Sequence, residues 1–148
     1  MKILIRSLTE TDFLEWSGLW QQYLTFYGTQ LSEEIYKNTF KRLININIKS
    51  QNAFVAETSN KLIGLVHYIY HNDNWKLEDA TYLQDLYTVP EFRGQGAGRL
   101  LIEAVYKAAD DNNCPTVYWQ TEQSNKTARV LYDKIAKLAP FIIYERQF

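Results

Sequence analysis

A short segment, EFRGQGAGRLLIEAV at residues 91–105, combines residue types that bind anions. Glycines stand at alternate positions 94, 96 and 98, and Arg93 and Arg99 flank them. Glycine permits positive φ and lets the backbone approach a ligand closely. Successive N–H groups at the start of a helix form a concave anion site, which the helix dipole strengthens. The segment therefore predicts a phosphate or pyrophosphate loop. The alternative is a turn that only packs a helix on a strand.

Two widespread phosphate loops do not fit this segment. A Walker A loop ends in Gly-Lys-Ser/Thr, whereas this one ends in Gly98-Arg99. The dinucleotide fingerprint has two residues between its last two glycines, whereas only Ala97 separates Gly96 from Gly98. A phosphate site at this loop must therefore belong to another class.

Other reactive side chains do not form a recognisable site. His67 and His71 lie in the strand-like stretch LVHYIYH, where residues four apart share a face at about 13 Å. No acidic third ligand follows in metal-site spacing, so no metal is predicted. Cys114 has no histidine nearby and precedes Pro115, so a nucleophilic role is not expected.

The elements that position the glycine loop follow from the periodicity of apolar residues. Strands are predicted at 2–8, in a hairpin of 53–58 and 61–70, at 80–89, at 116–121 and at 141–148. Helices are predicted after the N-caps Thr9 and Ser32, from Gly96, and from an N-cap at Ser124 to about Lys137. The order β-α-α-β-β-β-α-β-α-β predicts an α/β (α+β) fold whose front half is largely antiparallel.

Composition limits the function. A chain of 148 residues without a linker or repeat predicts one domain, 1–148. A net charge of -1 argues against a protein that coats nucleic acid. No apolar run is long enough for a membrane span or a signal peptide, and there is one cysteine. We expect a cytoplasmic protein that binds neither nucleic acid nor membrane.

A third phosphate-binding pattern does fit the loop. Residues 93–98 match R/Q-x-x-G-x-G/A, the acetyl-CoA pyrophosphate loop of the GNAT superfamily of N-acetyltransferases. YLQDLYTVPEFRGQGAGRLLIEAV and VYWQTEQSNKTARVLYDKIA resemble its core strand–loop–helix–strand–helix, so the resemblance covers roughly residues 61–137. The closest resemblance is to the branch of spermidine/spermine acetyltransferases and small acetyltransferases of histones and other proteins. It implies a mixed, mostly antiparallel sheet flanked by helices and acetyl transfer from acetyl-CoA to a primary amine.

The resemblance also implies a set of cofactor-binding residues. The strand before the loop would pair with the pantetheine arm, and the loop would hold the pyrophosphate. Asn125 matches an asparagine that contacts the arm, with N-capping as its alternative role. Tyr132 matches a tyrosine near the cofactor sulfur, where a phenol can protonate the departing thiolate. The implied cofactor-binding residues are Leu86, Tyr87, Thr88, Val89, Arg93, Gly94, Gln95, Gly96, Ala97, Gly98, Arg99, Asn125 and Tyr132.

The group that deprotonates the amine stays open. An alkylammonium of pKa near 10.4 is almost fully charged at neutral pH, so a carboxylate is needed. The polyamine branch carries a glutamate where this chain has Gln84, which cannot act as a base. Asp85 is the next residue, but alternation along a strand points it to the opposite face. Asp85 is the first choice of base, with Glu122 as an alternative near the acceptor.

The acceptor must bind the front half of the chain. Trp20 and Tyr27 are candidate walls of its channel, beside Gln84 and Glu122. Polyamine, protein-amine and aminoglycoside-like acceptors all stay open. A non-catalytic acyl-CoA sensor and a plain phosphate-binding module are the alternative functions. The resemblance further implies a homodimer, in which FIIYERQF at 141–148 could form the interface.

Overall fold

The computed structural model describes all 148 residues as a five-stranded sheet with four α-helices. The strands are β1 (Leu4–Ser7), β2 (Gln51–Thr58), β3 (Lys61–His71), β4 (Ala80–Thr88) and β5 (Val117–Tyr118). The helices are α1 (Phe13–Phe26), α2 (Glu33–Ile44), α3 (Ala97–Asp111) and α4 (Lys126–Ile135). The strands lie in sequence order, antiparallel except for the parallel pair β4–β5. The predicted fold class, a mixed and mostly antiparallel sheet flanked by helices, is confirmed.

Local signals place most of the helix and turn boundaries. The Asp12 carboxylate accepts from the Thr9 backbone N–H at 2.8 Å, and a short 3-10 turn leads into α1. Ser32 caps α2 by accepting from the Ile35 N–H. Ser59 and Asn60 both have positive φ, as a tight two-residue hairpin turn between β2 and β3 requires. These features agree with the predicted caps and hairpin.

The two large helices cover opposite faces of the sheet. From α1, Trp16 and Trp20 pack against His67 of β3. From α3, Leu101 lies against Gly64, three residues earlier on β3. Neighbouring residues of a strand point to opposite faces. Residues at odd positions of β3, such as His67, therefore face α1, and residues at even positions, such as Gly64, face α3. The core therefore fills both sides of β3, which is buried from Leu62 to Tyr68.

Three predicted elements differ from the structure. Asn125, and not Ser124, is the N-cap of α4, and the helix ends at Ile135. The strand predicted at 116–121 is reduced to β5, two residues long. The strand predicted at 141–148 does not form. A strand needs a neighbouring edge to supply its hydrogen bonds, and this segment pairs with none, so Phe141, Ile142 and Tyr144 are exposed.

No helix of the structure is long and apolar enough to cross a membrane.

Candidate active site

The glycine loop presents a run of free backbone donors. Gly94 and Gly96 have φ of 77° and 93°, and Gly96 is the left-handed N-cap of α3. The first N–H of this region to find an acceptor is that of Leu100, which donates to Gly96 O at 3.0 Å. The N–H groups of residues 94–99 donate to no atom of the protein. Such a run at a helix start is a site for an anion with several oxygens.

One edge of β4 is unpaired on the way to this loop, and we call this edge and the space along it the cleft. The two strands pair only at Thr81↔Val117 and Tyr82↔Tyr118. Beyond Tyr82 the edge of β4 that faces β5 has no strand partner, and this stretch includes the predicted residues 86–89. An unpaired strand edge can bind an extended amide-containing chain through backbone hydrogen bonds. Loop and cleft are continuous, because residue 89 directly precedes the turn that leads into the loop.

The two arginines of the loop are partly engaged within the protein. Arg93 Nε donates to Thr88 O at 2.9 Å, and its guanidinium lies 5.5 Å from the Tyr87 ring centroid. Arg99 Nε donates to Glu103 at 2.7 Å, one turn along α3. Each guanidinium keeps further N–H groups for an anion. The positive charge predicted beside the loop is therefore present on both sides.

Asn125 and Tyr132 lie on opposite ends of α4. Asn125 accepts from the Ala128 N–H, and its Nδ2 donates to Thr121 Oγ1 at 3.2 Å. The capping role considered for Asn125 is therefore observed. Tyr132 packs edge-on against Trp119, with ring centroids 5.4 Å apart. It is half-buried and packs against the core, so α4 turns this side chain inward.

A β-bulge in β4 sets the direction of Asp85. Leu83 pairs with Tyr68 and Asp85 pairs with His67, so Gln84 stands between them without a partner on β3. The extra residue reverses the alternation along the strand. Asp85 therefore points, with His67, to the face that α1 covers. Gln84 is exposed at the bulge.

The Asp85 carboxylate is held by two buried donors. His67 Nδ1 lies 2.8 Å from Asp85 Oδ2, and Trp20 Nε1 donates to the same oxygen at 3.2 Å. Trp16 Nε1 donates to His67 Nε2 at 3.0 Å. We call Trp16, His67, Asp85 and Trp20 the buried polar chain. Its members are at most 9% exposed.

Phenol groups surround the open side of Asp85. Burial, and next the charge of Asp85, raise the pKa of Tyr23 on α1. The pKa of Tyr27 is raised by burial, then by Glu122 and Asp85. Burial and the neighbouring Tyr27 raise the pKa of Tyr132 to about 12. Tyr27 is therefore near Glu122, Asp85 and Tyr132, and the three phenols stay protonated at neutral pH.

The structure therefore gathers most of the predicted site and corrects one part of it. Trp20, predicted to line the acceptor channel, is only 7% exposed and instead binds Asp85. It was misplaced because α1 turns this apolar face inward, onto β3. Tyr27 is 39% exposed and can contact an acceptor. Sequence reasoning missed Trp16, Tyr23 and the contact of His67 with Asp85, since a histidine in a buried strand gives no signal of its partner.

Comparison with known proteins identifies relatives along nearly the whole chain. The model of the Acetyltransferase (GNAT) family matches residues 9–136. The D-amino-acid N-acetyltransferase HPA3 of Saccharomyces cerevisiae is 35% identical over 146 residues, which cover 98% of this chain and 91% of that protein. The thialysine N-epsilon-acetyltransferase of Bos taurus is 35% identical over 71 residues, which cover 48% of this chain and 41% of that protein.

A solved structure gives the same architecture. AAC(6')-Iy, in complex with the bisubstrate analog CoA-S-monomethyl-acetylneamine, superposes with a TM-score of 0.86 over 100% of this chain and 99% of that chain. The two sequences are 17% identical. At this identity the likeness concerns the fold alone, and it agrees with the arrangement of the sheet and helices.

Proposed function

This chain belongs to the acetyltransferase (GNAT) family, whose members use acetyl-CoA, and from that premise we propose which residues bind the donor and carry out the transfer. The observation that carries the proposal is the run of free N–H groups at residues 94–99 beside an unpaired edge of β4. A pyrophosphate joined to a chain of amides is the ligand chemistry that fits both features. The anion binds the helix start, and the amides pair with the strand.

The donor-binding residues form two groups. Leu86, Tyr87, Thr88 and Val89 supply the edge of β4 for the pantetheine arm. Gln95, Gly96, Ala97, Gly98 and Arg99 hold the pyrophosphate, with Gly94 shaping the turn and Arg93 adding charge. Asn125 retains a free amide N–H beyond its contact with Thr121, which can reach the arm. The unpaired edge of β4 and the free N–H groups of residues 94–99 support the assignment.

Asp85 and Tyr132 carry the proton transfers. Asp85 accepts a proton from the ammonium group of the acceptor, and the amine then attacks the thioester carbonyl. A C–N bond forms and the C–S bond breaks. Tyr132, protonated at neutral pH, gives its proton to the departing thiolate. The second proton that the nitrogen loses restores the Tyr132 phenol, so the reaction yields amide, thiol and one proton taken up by Asp85.

For the acceptor we propose a small molecule with more than one amine, of the polyamine class. The two charged groups that interact with the Tyr27 phenol, Asp85 and Glu122, are both carboxylates, and each favours a cation. A second candidate is a D-amino acid, because the relative of Saccharomyces cerevisiae is named for that substrate. An acceptor panel with spermidine, a D-amino acid, thialysine and an aminoglycoside separates these classes by kcat/KM.

The test of the donor site is calorimetric titration of acetyl-CoA into wild type and Gly96→Trp. We expect binding to the wild type and its loss in the variant, whose indole fills the loop. No binding to the wild type would contradict the assignment of the loop. Binding without turnover of any amine in the panel would favour the alternative, a non-catalytic acyl-CoA sensor.

We also propose that the protein is cytoplasmic and acts as a homodimer. The support for the dimer is the exposed apolar segment at 141–148, which has no partner within the chain.

A further inference from the structure

We propose that His67 is a positioning residue of the acetyl transfer. As a neutral imidazole fixed by Trp16, it holds one oxygen of Asp85 so that the other faces the amine. The inference rests on the proposed function, in which Asp85 is the base. It concerns a residue that the proposed reaction does not otherwise use.

The hydrogen bonds of the buried polar chain have only one consistent direction. The Trp16 indole N–H can only donate, so His67 Nε2 at 3.0 Å must accept. A neutral imidazole with a free pair on Nε2 carries its proton on Nδ1. His67 Nδ1–H therefore donates to Asp85 Oδ2 at 2.8 Å. The contact with Trp16 thus selects the tautomer that can hold a carboxylate.

The same contact leaves no place for a proton on Nε2 of His67. An imidazolium carries a proton on Nε2 as well, and this proton would face the N–H of Trp16 with no acceptor between them. Trp16 is fully buried and packed against Trp20 and Phe40, so its ring cannot turn away. The pair of His67 and Asp85 therefore carries the single negative charge of the carboxylate. That charge is available to an incoming ammonium ion.

The two oxygens of Asp85 have different surroundings. Oδ2 accepts from His67 and from Trp20, which fixes the plane of the carboxylate. Oδ1 accepts from neither of these donors, and the Tyr23 phenol lies beside the carboxylate. The Asp85 side chain is 12% exposed, so the carboxylate is partly accessible. The geometry thus leaves the second oxygen of the oriented carboxylate on the side of Tyr23, in α1, and Tyr27, the C-cap of α1, where an amine can approach.

The test compares two substitutions of His67. His67→Leu removes the donor to Asp85, whereas His67→Asn keeps an amide N–H near the position of Nδ1. Loss of a general base costs about 10²- to 10⁴-fold in rate, and loss of its orientation costs part of this. We expect kcat of His67→Leu to fall about 10-fold or more, with the KM for the amine and the Kd for acetyl-CoA unchanged. His67→Asn should recover most of kcat.

A second measurement does not depend on the folding of a variant. The ¹⁵N shifts of the His67 ring in the wild type should show a protonated Nδ1 and an unprotonated Nε2 at neutral pH. An Nε2–H tautomer or an imidazolium at neutral pH would overturn the proposal. So would wild-type kcat in a folded His67→Leu, or a drop in both His67 variants alike.

The outcome can be separated from that of the proposed function. If Asp85→Asn is inactive while His67→Leu is fully active, Asp85 is the base and the role of His67 is wrong. If Asp85→Asn retains kcat, the assignment of the base itself is wrong. Thermal unfolding of each variant shows which losses of kcat come from loss of the native state.

Discussion

At the residue scale, the chemistry depends on which carboxylate takes the proton of the amine. Asp85 is oriented by two donors that both bind Oδ2, whereas the Glu122 side chain is exposed and has no hydrogen-bond partner. We therefore expect Asp85→Asn to lower kcat/KM by about 10²- to 10⁴-fold and Glu122→Gln to change it much less. Steady-state kinetics with the best amine of the panel measure both.

The matched control for Asp85 is Asp110→Asn. Asp110 is an exposed carboxylate on α3 without an ion pair, so its loss changes the net charge equally and leaves the site intact. A strong effect of Glu122→Gln with a weak effect of Asp85→Asn would reverse the assignment of the base.

Tyr132 gives the second prediction at this scale. Its raised pKa, about 12, keeps the phenol protonated throughout the usual assay range. We expect Tyr132→Phe to lower kcat while the Kd for acetyl-CoA stays near that of the wild type. The wild-type rate should show no alkaline loss attributable to this phenol below about pH 11. Equal kcat in Tyr132→Phe would show that the thiolate leaves without an acid.

At the element scale, the start of α3 gives a prediction that distinguishes the effect of backbone conformation from that of steric crowding. A Cβ at Gly96 would meet no atom within 4 Å, but its φ of 93° strains any other residue. The left-handed region costs a non-glycine residue roughly 1–2 kcal/mol. We expect Gly96→Ala to weaken acetyl-CoA binding by up to about 5- to 30-fold, measured by calorimetry.

Gly98→Ala is the control from the same loop. Its φ is not positive, and its Cβ would lie 3.6 Å from Leu131 Cδ2, an ordinary contact. We expect near wild-type affinity from this variant. If both alanine variants bind alike, the conformation of Gly96 does not shape the site.

The elements also show what the sequence could and could not predict. The hairpin turn at Ser59-Asn60, the cap at Ser32 and the loop at 94–99 were predictable because a few adjacent residues determine them. The bulge at Gln84 was not, since it depends on which residue of β3 each residue of β4 meets. Strand alternation without the bulge therefore assigned Asp85 to the face opposite the one that it occupies. The early end of β5 likewise depends on how β4 and β5 diverge.

At the scale of the whole molecule, buried phenols predict a loss of stability at high pH. Burial raises the pKa of Tyr23, Tyr68 and Tyr132 above the ordinary value of about 10. Above that pH the unfolded chain loses these protons while the native protein keeps them. The unfolded state then binds fewer protons, so the free energy of unfolding falls as pH rises. For Tyr132 the fall continues to about 12.

Urea denaturation at about pH 8, 9.5 and 11 measures this loss. Tyr132→Phe removes one of the three groups and should show a smaller fall between the lowest and highest pH. A free energy of unfolding that stays constant across this range would contradict the burial of the phenols.

The segment at 141–148 gives the last prediction, which concerns assembly. Its apolar side chains are exposed, with Phe141 at 85% and Phe148 at 107%, and no strand of the chain pairs with it. An extended apolar segment without a partner is the kind of surface that another copy covers. Truncation after Pro140 should therefore convert a homodimer to a monomer while the thermal midpoint of a dilute sample changes little. Sedimentation velocity measures the oligomeric state, and calorimetry measures the thermal midpoint.

A control variant with Tyr144→Glu and Ile142→Lys keeps the length but makes the segment polar, and it should also be monomeric. A wild-type monomer at all concentrations, or a dimer that survives truncation, would show that this segment is not the interface.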